Sequence, residues 1–397
     1  MTWIVSLALL VLVLVLVAAA VAAFAMECRR KNMTIWLGSW LRQRKPALQP
    51  GPVHVLFSFV DHYEPQWGRP SYDVEVRRVA QWREGYKAMA SRHRDADSRH
   101  PQHTFFYPEE EYRPEHLDQI AELCREGFGE IEVHLHHDHD TEAGLREKIN
   151  RFVGILHERH GALPIDPATG KPVFAFIHGN WCLDNSRSDG RWCGVNNELE
   201  ILKDLGCYCD FTLPSAPSET QTRKINSIYY ATDVRDKPKS HNSGVDVKAG
   251  GQPSGDLMIL QGPLALNWKN RRWGLIPRIE NADVRASYAP TPDRIDLWVD
   301  QHIHVQGQPN WVFVKVHTHG TQDRDIPALL GEPADRMFSY LEAKYNDGQQ
   351  YVLHYVNSRE MFNIVKAAER GLQGDPDQYR DLVLPRPPMF SAEGHAG

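Results

Sequence analysis

Gly129-Glu-Ile-Glu-Val-His-Leu-His-His-Asp-His-Asp-Thr141 is the stretch from which the rest of the chain is read. Its first half is a β-type run. Its second half packs four histidines (His134, His136, His137, His139) and two aspartates (Asp138, Asp140) into seven positions. Neutral imidazole nitrogen and carboxylate oxygen bind borderline divalent cations such as zinc, so a dense His/Asp cluster at a strand end reads as a metal cradle. Alternate residues of a strand share a face, so His134 and His136 point the same way, and the turn that follows is expected to bring Asp140 round to them. The competing reading is a solvated strand-to-helix loop in which Asp140 or Thr141 caps the next helix.

Outward from this strand, similar units repeat. Val53-His-Val-Leu-Phe-Ser-Phe-Val60, His103-Thr-Phe-Phe-Tyr107, Val173-Phe-Ala-Phe-Ile177 and Trp311-Val-Phe-Val-Lys-Val316 are largely apolar runs of the kind a buried parallel strand requires. Helical patterns alternate with them at 72–93, 114–126, 142–160, 196–205, 293–304, 326–346 (broken near Gly331 to Pro333) and 360–371. Shorter strands are read at 208–213, 257–260 and 351–355. Residues 214–256, rich in Ser, Pro, Gly and Lys, read as a long, partly mobile excursion with a strand at Ile225 to Tyr230. Seven or eight strand–helix pairs argue for an α/β fold with a parallel sheet closed as a barrel, whose chemistry collects at the C-terminal strand ends. Those ends carry Asp61-His62-Tyr-Glu64, Pro108-Glu-Glu110-Glu111, the histidine cluster, His178-Gly-Asn180-Trp181 and His317-Thr-His319. Acids, imidazoles and an amide at five strand ends predict one converging polar pocket.

The order of these motifs resembles the polysaccharide deacetylase family, carbohydrate esterase family 4. Phe57-Ser-Phe-Val-Asp61-His62 is similar to its TFDDG motif, and His136-His-Asp-His-Asp140 to its HxxxH motif. Phe176-Ile-His-Gly-Asn180-Trp181, followed by Asn197 to Gly206, resembles the third motif, and Phe313-Val-Lys-Val-His317 the last. The resemblance spans about residues 53 to 320. It implies a distorted (β/α)7-type barrel and metal-dependent removal of N- or O-acetyl groups from a polysaccharide or glycoconjugate. It further implies Asp61 as general base, His317 as general acid, and His62, His136 and Asp140 as metal ligands with His134 as substitute. His178, Asn180 and Trp181 would meet the substrate, with Glu110 in reserve. The implied cofactor is a divalent metal, zinc foremost, with cobalt, nickel or manganese as substitutes. The chain departs from the family pattern where His62 replaces the second aspartate, and it lacks the arginine and proline of the third motif.

Composition bounds the rest. A length of 397 residues with 42% hydrophobic content accommodates one large domain, and a net charge of −6 offers no basic field for nucleic acid. Residues 1–27 read as a transmembrane anchor, because Trp3 to Met26 is uncharged and a span needs about 20 such residues. The rival is a cleaved signal peptide at Ala23-Phe-Ala25. Residues 28–52 read as a juxtamembrane amphipathic segment and linker, with Trp36 and Trp40 at headgroup level. The barrel is assigned to 53–383 and a disordered tail to 384–397. Arginines and lysines after the span place the domain inside by the charge rule, whereas chemistry on exported glycans places it outside. Six cysteines match no CxxC site and read as buried free thiols, with a Cys182–Cys193 pairing as the alternative. Two other functions stay open: a different metal-dependent amidohydrolase or phosphoesterase, and a non-catalytic membrane-tethered polysaccharide-binding component.

Overall fold

The computed structural model describes residues 2–391. In chain order the elements are α1 (Thr2–Arg30), α2 (Met33–Arg42), β1 (Val53–His62), α3 (Tyr72–Ala90), β2 (His103–Pro108), α4 (Pro114–Leu123), β3 (Gly129–Leu135), α5 (Glu142–Glu158), β4 (Phe174–His178), α6 (Glu198–Asp204) and β5 (Cys207–Asp210). Then follow β6 (Ile228–Ala231), β7 (Val245–Asp246), β8 (Leu257–Leu260), β9 (Ala265–Arg272), β10 (Ile276–Glu280), α7 (Pro292–Asp300), β11 (Trp311–Thr318), α8 (Ile326–Leu329), α9 (Glu332–Tyr345), β12 (Tyr351–Tyr355) and α10 (Ser358–Glu369).

The apolar runs become a mostly parallel central sheet in the order β11-β1-β2-β3-β4-β5-β8, extended by antiparallel β6 and β7. β1 is its hub. β11 pairs with it from His54 to Asp61, while its other edge takes β12 over Val53–Phe57 and β2 over Phe59–His62. Both faces of β1 are covered, as its unbroken apolar character requires. Val55, Phe57 and Phe59 pack with Trp82, Leu117, Trp298 and Phe338 of the outer helices. Leu56 and Val60 pack with Phe106, Ile177, Phe313 and with Met361 and Ile364 of α10. Each such buried side chain contributes about 1.5–3 kcal/mol, so the period-2 alternation fixes which residues face which core.

Three expectations need correction, and one hairpin was not expected at all. Residues 214–256 are tied into the fold, with Thr220, Gln221, Thr222 and His241 buried. The hairpin β9–β10 was invisible as strands because its exposed half is Lys269-Asn-Arg-Arg272; it presents Trp268, Trp273 and Leu275 to solvent. α2 does not lie free for a membrane surface: Trp36 is fully buried against Ile225, Leu264 and Leu266, and Trp40 donates to Gln301. The tail is ordered through residue 391, where Leu384 and Met389 are buried and Asn363 accepts from the Leu384 amide; 392–397 lie outside the described residues. α1 is long and apolar enough to cross a membrane, and its apolar window is not buried against the domain.

Candidate metal centre

Three strand ends each deliver a pair of side chains two residues apart: His62 and Glu64 after β1, His134 and His136 after β3, His317 and His319 at the end of β11. Strand alternation aims each pair at one side, and the three sides meet. Glu64 Oε1 lies 3.4 Å from His134 Nε2 and 3.5 Å from His136 Nε2. His62 stacks on His319 with ring centroids 4.5 Å apart and stands 4.9 Å from His134 and 6.4 Å from His317. Two overlapping sets, Glu64-His134-His136 and His62-Glu64-His319, have ligand atoms close enough to share a metal ion.

The histidines that face Glu64 are held in one tautomeric sense from behind. His134 Nδ1 is 2.7 Å from the Ile177 carbonyl, and His136 Nδ1 is 2.5 Å from Glu110 Oε1. Both Nε2 atoms are thereby presented forward, the carboxylate–histidine arrangement usual behind metal ligands. Gly179 makes this packing feasible: a Cβ there would fall 2.3 Å from His136 Cδ2.

Electrostatics favour a cation. Burial, followed by the crowding of His319, His134, His317 and His136, holds His62 well below the ordinary histidine range, so it is neutral. Burial would raise the Glu64 carboxyl, but its hydrogen bond with His134 and the nearby His319 and His136 outweigh it and hold the group low. His136 moves the other way: burial lowers it, while Glu110 and Glu64 raise it by more. A carboxylate inside a shell of imidazoles is a donor set for a divalent ion. Access is from the side of His136 and His319, which are partly exposed, and of Trp181, whose ring centroid stands 5.9 Å from His62 and 5.6 Å from His319.

Several predicted roles move. Asp61 is turned to the helical face: it accepts from the Gly320 amide at 2.6 Å and pairs with His103 Nε2 at 3.0 Å, beside Trp82. The alternation that brings His62 to the histidines sends its neighbour Asp61 away, so the predicted base holds the His319–Gly320 turn instead. His317 is present, but burial, followed by Lys315 and His319, holds it well below the usual histidine range, which opposes an imidazolium acid. Asp140 does not reach His136; it lies 3.2 Å from His137 Nδ1 and 2.5 Å from Lys148 Nζ, while Thr141 caps α5 through the Gly144 amide. Glu110 orients His136. Asn180 and Trp181 occupy a turn with positive φ, 54° and 57°.

His178 belongs to a second buried group with His137, Cys193 and Glu198, whose ligand atoms all lie within 4.8 Å of one another and which could likewise hold a metal ion. All six cysteines are free and buried. Glu64 and His319 stood at the expected strand ends without an assigned role, and Cys193 and Glu198 were not expected as ligands. For the first two the signal was present, since each stands two residues after a histidine already chosen; the other two carry no local motif. No family model matches the chain, and no curated protein matches it.

Proposed function

We propose that the chain is a metal-dependent hydrolase whose reaction centre is the Glu64-His134-His136 group, with His62 and His319 as flanking donors. One observation carries this: three ligand atoms from two strand ends converge, backed by Glu110 and the Ile177 carbonyl, at a place that solvent reaches. A divalent ion held there supplies a Lewis acid for a carbonyl and a water with a pKa lowered to about 7. The chain's own groups do the remainder. Glu110 keeps His136 oriented, and Asp61 anchors the turn that carries His319. His319, partly exposed beside Glu64, would exchange a proton with the leaving atom through the ring nitrogen that does not face the metal, and neutral His317 packs behind His62.

For substrate we propose an acetylated glycan. The motif order resembles that of polysaccharide deacetylases, and Trp181 offers an apolar ring face at the mouth of the site, suited to a sugar. The same resemblance supports reading the parallel sheet as a distorted barrel, with Lys315 of β11 donating to the Phe211 and Leu213 carbonyls across from β5. α1 is then a retained membrane anchor, since its helix runs to Arg30 directly before the docked α2.

The test is acetate release from N-acetylated and O-acetylated oligosaccharides by metal-saturated protein, with Glu64→Gln as control. Release by the parent and its loss in the variant are expected. Hydrolysis of phosphate esters without acetate release would replace the substrate class, and glycan binding without turnover would make the chain a binding component.

A further inference from the structure

Behind the proposed reaction centre, and facing the opposite way, lies the group formed by His137, His178, Cys193 and Glu198. His137 follows His136 directly, so consecutive residues serve two different clusters. The side chains of His137, His178 and Glu198 are 0% exposed, and so is Cys193. His137 Nε2 stands 2.8 Å from His178 Nε2, Glu198 Oε1 stands 3.2 Å and 3.4 Å from these two atoms, and Cys193 Sγ is 3.5 Å from Glu198 Oε2. Donors at tetrahedral corners around an ion with bonds of about 2.0–2.3 Å stand about 3.3–3.7 Å apart. The two histidine–glutamate spacings fall close to that range, the histidine–histidine spacing is shorter, and all four ligand atoms lie within 4.8 Å of one another.

The outer contacts match. His178 Nδ1 is 2.6 Å from the Gly179 carbonyl, His137 Nδ1 faces the Asp140 carboxylate, and Glu198 Oε2 accepts from the Asp184 amide at 2.5 Å. Each ring therefore turns its Nε2 to the centre, and Asp140 is itself neutralised by Lys148. Two histidines with one thiolate and one carboxylate bring a charge of −2 to a buried place, which a divalent ion cancels. Without an ion, the alternative is a proton on His137 held between Asp140 and Glu198.

We propose that His137, His178, Cys193 and Glu198 form a second, closed metal site of structural type, selective for zinc. Four protein donors leave no open position, which separates structural from catalytic zinc, and a thiolate disfavours magnesium, calcium and manganese. On binding, the Cys193 thiol loses its proton to solvent, as does His137 where it is protonated, and the Zn–S and Zn–N bonds form in their place. The ion clamps the ends of β3 and β4 to α6 and to the 179–197 loop. That loop carries Trp181 and four residues of positive φ between Asn180 and Asn185, a conformation that needs outside support. The clamp thereby positions Trp181 and His136 without touching substrate.

The experiment uses the full chain, loaded with cobalt(II) in place of zinc and read by absorption and elemental analysis. A thiolate-to-cobalt charge-transfer band is expected in the parent. Cys193→Ser is expected to abolish the band and to hold about one equivalent of metal fewer, while Glu64→Gln keeps the band and loses the other equivalent. A cobalt-loaded parent without the band, or a Cys193→Ser protein with an unchanged metal content, overturns the proposal and leaves an ion-paired histidine network. The parent spectrum decides alone where Cys193→Ser does not fold. This inference is separable from the hydrolase reading, because a band with about one equivalent of metal and no acetate release would support the closed site and sink the reaction centre.

Discussion

His136 illustrates how much one side chain depends on its neighbour behind. Glu110 pairs with His136 Nδ1 at 2.5 Å from behind and so fixes the ring that faces Glu64. Glu110→Gln is expected to weaken metal affinity by about 10- to 100-fold, the range for residues that orient ligands, with the melting temperature little changed; isothermal titration with zinc checks this. Asp61 makes the converse case. If it anchors the His319–Gly320 turn, Asp61→Asn lowers stability by about 1–3 kcal/mol and leaves the shape of the pH–rate profile in place, whereas a general base would take the acidic limb of that profile with it. Legibility at this scale followed from one rule. The period-2 alternation puts His134 and His136 on one side, and the structure brings both to Glu64. Applied equally after β1 and β11, it selects Glu64 over Asp61 and adds His319. Cys193 and Glu198 were beyond reach, because their meeting with His137 and His178 depends on a loop of positive-φ residues that no local pattern announces.

Among the elements, β3 does two jobs. Its outer end carries His134, with His136 just beyond it, and its inner half carries Glu130, paired with Arg359 of α10 at 2.8 Å, and Glu132, which accepts from the Ala175 amide at 2.6 Å and from Tyr208. Burial raises the Glu132 carboxyl to about 8. The folded chain therefore keeps a proton that the unfolded chain has lost, so this group's cost is absent below the ordinary carboxyl range and grows as pH rises from about 4.5 to about 8. Glu132→Gln is expected to raise the melting temperature at pH 8 more than at pH 5; equal shifts at both would show that the carboxyl is ionised in the fold. The parallel strands were legible because continuous apolar runs between helical periodicities have few other solutions. The hairpin β9–β10 was not, since Lys269, Asn270, Arg271 and Arg272 give a solvated ribbon no apolar face. α2 was recognised as amphipathic, but its apolar side, centred on Trp36, met Leu264 and Leu266 instead of lipid.

Across the whole molecule, that docking ties the N-terminal segment to the domain. Deleting residues 1–26 is expected to leave the melting temperature close to that of the parent, while deleting 1–43 removes Trp36 and lowers stability by about 3–5 kcal/mol, as for a buried tryptophan; thermal unfolding of the two truncated proteins checks it. The convergence of β1, β3 and β11 at one end of the sheet is likewise a property of the complete chain, since Glu64 and His319 are brought together from opposite ends of the sequence. The most direct test of the account is anomalous diffraction at the zinc edge from crystals of the zinc-loaded protein. A peak bonded to Glu64 Oε1, His134 Nε2 and His136 Nε2 is expected. Zinc bound elsewhere, with these three atoms joined only to one another or to water, would contradict it.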